Sequence, residues 1–146
     1  MTGTAPTPQA LRLGAAGLLP FLGGAALVWL VRPDAHPYVV LALSAYAAVI
    51  VSFLGGIHWG LAMRAVSAPA VPTAPLLWGV LPPLVAWAAV MMPPSAGLVI
   101  HGLMLLVCYA VDRRLYVAQG ADGWLTLRFR LSAVAALSCF IGAAGA

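Results

Sequence analysis

The chain has 146 residues, 64% of them hydrophobic and only 7% charged, with a formal net charge of +4. A soluble domain carries roughly 25% charged residues because its surface must face water. This composition therefore excludes a soluble enzyme, a disordered tail and a disulfide scaffold, and it implies a single integral membrane domain over residues 1–146. All basic residues are arginine and all acidic ones aspartate. Scattered arginines at membrane boundaries are a topology signal rather than a nucleic-acid surface.

The polar head Met1–Ala10, which holds two prolines and no charged side chain, is predicted to be disordered. Arg12 and an apolar run over 13–31 follow. At about 1.5 Å per residue the run crosses roughly 28 Å, one hydrocarbon core. It is longer than the roughly 7–15-residue apolar region of a signal peptide, so it is read as the first span. Pro20, with Gly23 and Gly24 nearby, predicts a kink there. The turn Arg32-Pro33-Asp34-Ala35-His36-Pro37 leads to a second span over 38–63, the longest, closed by Arg64. Val66–Thr73 is a short loop with Pro69 and Pro72.

The third span, 75–92, contains Pro82-Pro83. Two prolines leave carbonyls without helical partners, so this kink is predicted to face protein rather than lipid. Pro93-Pro94-Ser95 turns the chain into a fourth span over 96–111. Asp112, Arg113, Arg114, Asp122, Arg128 and Arg130 are then interleaved with Leu115, Tyr116, Trp124, Leu125, Leu127 and Phe129. This stretch is predicted to lie in the headgroup layer, apolar side down. The fifth span covers 129–146. The expected fold is an all-α membrane bundle of five transmembrane helices. One rim carries six arginines and the other only Arg32, which predicts a cytoplasmic N-terminus and a C-terminus outside; the Ala-rich, Lys-free composition points to a bacterium, in which that outer side is the periplasm.

The second span carries small residues at every fourth position: Ser44, Ala48, Ser52, Gly56 and Gly60. Such a stripe lets helices approach closely in lipid, either within the bundle or against a partner's helix. His58 lies about 160° around the helix from Gly60, so this helix has demands on two faces and is predicted to be central. An ionisable residue inside a span is a functional candidate, which applies to His58 and His101. Counted from the span centres, their depths differ by roughly 16 Å, too far for both to ligate one haem. Asp112 matches the depth of His58, about 12 Å toward the cytoplasm, and a His58–Asp112 contact is allowed if their helices are neighbours. Arg113 and Arg114 compete for the same carboxylate. Cys108 and Cys139 sit in apolar stretches and show no metal spacing. No acidic residue lies deep in any span, and no nucleophile–base set shares a level, which disfavours ion-coupled transport and intramembrane hydrolysis.

The segment Tyr46–Gly60, with Phe-Leu-Gly-Gly-Ile-His-Trp-Gly at its end, and the downstream Asp112-Arg113-Arg114-Leu115 resemble the transmembrane-protein-69-like family of bacterial membranes and mitochondria. Gly17–Phe21, Leu81-Pro82 and Trp87 extend the resemblance over nearly the whole chain. It implies a small multi-pass inner-membrane protein with no activity to carry over, and it draws attention to His58, Trp59 and Asp112–Arg114. The resulting expectation is a non-enzymatic accessory or assembly subunit, without cofactor or metal, docked on a larger respiratory or photosynthetic membrane complex. The alternative is a binder of an apolar ligand such as a porphyrin, quinone or lipid. The residues expected to touch the partner or ligand are His58, Trp59, His101, Asp112, Arg113 and Arg114.

Overall fold

In the computed structural model, which describes residues 5–64 and 73–146, helix formation begins earlier than the composition of the head suggests. The Thr7 hydroxyl accepts from the Ala10 amide at 3.2 Å and caps α1 (Pro8–Ala16), whose first residue is a proline with no amide to satisfy. The chain breaks at Gly17–Leu18 and continues as α2 (Leu19–Leu30). Pro20 causes the break, though not at its own position. It has no N–H for the Ala16 carbonyl, so it is accommodated in the first turn of a new helix. The Tyr46 hydroxyl donates to the Gly17 carbonyl at the break, at 2.8 Å. Together α1 and α2 form the first span, Pro8–Leu30.

The remaining spans are α3 (His36–Arg64), α4 (Thr73–Val90), α5 (Pro94–Ala118) and the segment Asp122–Gly145. The last comprises a short 3₁₀ turn, Asp122–Trp124, and α6 (Leu125–Gly145). The expected loop Val66–Thr73 lies outside the described residues except for Thr73, which opens α4. Five helices are long and apolar enough to cross a membrane, and no strand occurs among the described residues.

The stretch expected to lie along the headgroups is instead a helical hairpin. Helix α5 runs on through Asp112, Arg113 and Arg114 to Ala118. Gly120, with φ of 69°, then reverses the chain. The Ala121 amide donates to the Tyr116 carbonyl at 2.8 Å and the Gly120 amide to that of Val117 at 3.3 Å, the paired bonds of a Schellman stop. Only glycine adopts that backbone without a Cβ penalty.

Helix α3 is central: it packs against α2, α4, α5 and α6. Its inward side is Leu43, Ala47, Val51 and Leu54, spaced by four, four and three residues. Phe21 meets Tyr46 edge-on at 5.1 Å. Helix α4 closes on α3 where Gly55 faces Gly79, and a Cβ at Gly55 would fall 2.5 Å from the Gly79 carbonyl oxygen. Pro83 has no N–H to offer that carbonyl, and Pro82 is buried, so the double-proline stretch does face protein. At the opposite end of the bundle, the Trp29 indole donates to the Ile141 carbonyl at 3.2 Å and His36 Nε2 to that of Gly145 at 2.9 Å. Leu30, Phe53, Trp87 and many other large apolar side chains face outward, as the surface of a lipid-dissolved bundle requires.

Candidate functional site

The hairpin at Gly120 places Asp112 on α5 opposite Arg128 on α6, eight residues before and eight after the turn. Asp112 is 1% exposed, and both its oxygens are taken. His58 donates through Nε2 to Oδ1 at 2.9 Å. Arg128 donates to Oδ2 through Nε at 3.0 Å and Nη2 at 2.6 Å. Three helices thus converge on one carboxylate. Burying a charge in such surroundings requires a paired countercharge and hydrogen bonds, and here Arg128 supplies the charge and His58 a further bond. The Tyr116 ring covers His58 edge-on, centroids 5.8 Å apart.

The depth match between His58 and Asp112 is therefore realised as a direct bond. The expected competition from Arg113 and Arg114 is not. Both are exposed on α5, and the arginine on the carboxylate is Arg128, a residue assigned by its neighbours in sequence to the headgroup layer. The signal for it was the glycine midway between residues 112 and 128. His101 is fully buried and lies outside this cluster: its Nε2 donates to the Ala86 carbonyl of α4 at 3.3 Å. Trp59 is 41% exposed, and its indole donates to the Leu76 carbonyl at 3.0 Å, tying α3 to α4 beside Gly79.

The small-residue stripe divides. Ser44 is buried, Ala48 and Ser52 are half-buried, and Gly56 and Gly60 are exposed with open space where a Cβ would be. A four-residue repeat drifts by about 40° per step on a 3.6-residue helix, so the stripe rotates out of the bundle. The glycine that does make a close helix contact is Gly55. Ser52 bonds back to the Ala48 carbonyl of its own helix at 2.8 Å.

Beside the charge cluster lies a cleft of about 630 Å³ between the first span and α3, α5 and α6. The break at Gly17 creates it: α1 packs against α6 and makes no comparable contact with α3. Leu13, Phe21, Phe53 and Ile57 are among its apolar walls, and Tyr116, Gln119, Arg128 and Ser132 supply polar surface. Ser132 is 2% exposed, and its hydroxyl has no partner among the described residues; neither has the buried Gln119 Oε1. Buried polar atoms normally find partners, so these two are open positions. Among the described residues no group of three or more His, Cys or Asp side chains is arranged to hold a metal ion.

The chain is similar to the protein named Transmembrane protein 69 of Xenopus tropicalis, 42% identical over 110 residues, 72% of this chain and 42% of that one. Its likeness to Transmembrane protein 69 of Mus musculus is 28% identity over 137 residues, 93% of this chain and 55% of that one. The chain spans about half the length of these curated relatives. No solved structure matches it. Five apolar helices and relatives of this name make it a multi-pass membrane protein. A family model described as a protein of unknown function, DUF3429, matches residues 6–144, and the chain belongs to that family.

Proposed function

We propose that this membrane protein is a non-enzymatic binder of an amphiphilic ligand, held in the cleft beside the Asp112 cluster. The observation that supports it is a cavity of about 630 Å³, apolar along its walls, with two unpartnered polar atoms, on Ser132 and Gln119, at its lining. Ligand sites run to roughly 300–1,000 Å³ and combine apolar walls with a few polar groups. The charge cluster does not offer a reactive carboxylate, because both oxygens of Asp112 are occupied. Its role is to hold Arg128 and the Tyr116 wall in place. Trp124 lines the cleft, so a brominated lipid, a quinone or a porphyrin that enters should quench its fluorescence saturably, and the quenching should shrink in Trp124→Phe. No saturable quenching by any of the three classes would overturn the proposal.

A second reading is an accessory or assembly subunit of a larger complex in a bacterial inner membrane. The open face at Gly56 and Gly60, beside half-exposed Trp59, favours it. Recovery from native membranes should then yield a constant partner that is lost on Gly56→Leu.

A further inference from the structure

Resting on that reading of the cleft, we infer that its occupant is an anionic glycerophospholipid of the surrounding bilayer, with one acyl chain in the cleft and its headgroup at Arg64. Four observations converge on this. First, the cleft has a direction. Leu18 and Phe21 line it toward the middle of the bundle, whereas Arg64 and Gln119 lie at the rim where α3 and α5 end. An occupant with one apolar and one polar end fits that layout.

Second, the rim is cationic. Arg64 lines the cleft, is exposed, and has no ion-pair partner among the described residues. Arg128 lines the wall, but its charge is already met by Asp112. The unmatched positive charge is therefore at the mouth, where a phosphate would sit, and not deep in the cleft. A neutral quinone head leaves this charge unmet. A free fatty acid meets it but has no glycerol ester groups for the polar atoms below.

Third, Ser132 is buried within the cleft wall and its hydroxyl is unpartnered. Counted from the level where His58, Asp112 and Arg128 meet, it lies roughly 15 Å deeper than Arg64, so it donates to an ester carbonyl of a lipid drawn into the cleft, with the long Arg64 side chain reaching inward to the phosphate. Fourth, the cleft is accessible from the side. Helix α1 diverges from α3 below the Gly17 break, so a chain can slide in from the bilayer without leaving it.

The test uses the full chain purified in detergent, with native mass spectrometry counting retained lipid after exposure to equal amounts of dioleoyl phosphatidylglycerol and dioleoyl phosphatidylcholine. One phosphatidylglycerol should be retained in preference to phosphatidylcholine by about fivefold, the factor expected when one arginine meets an anionic headgroup. Arg64→Gln, at an exposed position, should melt like the parent and lose that preference. Ser132→Ala should weaken retention of both lipids and keep the preference. Equal saturable retention of the two lipids would overturn the headgroup assignment while leaving an amphiphile site standing. Displacement of phosphatidylglycerol by equimolar oleate would overturn it in favour of a free acid. Saturable binding of neither lipid nor oleate would remove this inference, and quenching of Trp124 by a quinone or porphyrin would then show whether the cleft binds ligands at all.

Discussion

Asp112 carries a full charge in a bundle whose surroundings offer little solvation, and its environment shows how that is made tolerable. Removing one member of a buried pair leaves the other charge uncompensated, which costs about 3–5 kcal/mol, whereas replacing both with apolar groups is often near neutral. Asp112→Asn should therefore lower the melting temperature in detergent substantially. Asp112→Leu combined with Arg128→Met should recover most, but not all, of the loss. The remainder belongs to His58, whose Nε2 then loses its acceptor; an unsatisfied buried donor costs about 1–3 kcal/mol. A double variant as unstable as Asp112→Asn would show that the cluster is not a charge pair in balance. The His58–Asp112 half of this site was legible in the sequence because depth along a straight helix follows from counting residues. The Arg128 half was not. Its position depends on α5 continuing past the hydrophobic run and reversing at Gly120, so local polarity pointed to the membrane surface while tertiary pairing drew the side chain inward.

At the scale of helices, the contrast between Gly55 and Gly56 separates packing within the bundle from packing outside it. A methyl at Gly55 would meet the Gly79 carbonyl, which is rigid backbone and cannot swing aside. A methyl at Gly56 meets nothing within 4 Å. Overpacking of this kind costs about 1–3 kcal/mol. Gly55→Ala should lower the melting temperature, and Gly56→Ala should leave it unchanged or slightly raised through better helix propensity. Equal effects would mean that α3 and α4 do not meet at Gly55. The sequence made small residues on this helix conspicuous, but a repeat of four cannot by itself say which residues face inward over about eight turns. The face is set by Leu43, Ala47, Val51 and Leu54, whose mixed spacing of four and three follows the helix without drift. Span number and the central position of this helix were readable from hydropathy and from its two demanding faces. The first break was displaced because Pro20 has no N–H for the Ala16 carbonyl one turn earlier, and the chain resolved that at Gly17–Leu18.

Across the whole molecule, an odd number of spans places the two ends of the described bundle on opposite faces, and the arginines are divided unequally between those faces. Arg12, Arg64, Arg113, Arg114 and Arg130 belong to the cleft end with Arg128, whereas Arg32 stands at the other beside Asp34, 3.5 Å away and partly neutralised. The positive-inside rule counts arginines in short loops, and acidic residues contribute little to it, so the uneven division itself, and not the Arg32–Asp34 pair, carries the orientation. A reporter active only in the cytoplasm should work when fused before Met1 and fail when fused after Ala146. A periplasmic reporter should behave oppositely. Both fusions reporting from one face would mean that one of the five apolar helices does not cross. Because Arg64 and the α1–α3 opening share the arginine-rich end, the same experiment fixes which leaflet supplies the cleft. A cytoplasmic N-terminus would place its mouth in the inner leaflet. A brominated phosphatidylglycerol confined to that leaflet should then quench Trp124, and the same lipid confined to the outer leaflet should not.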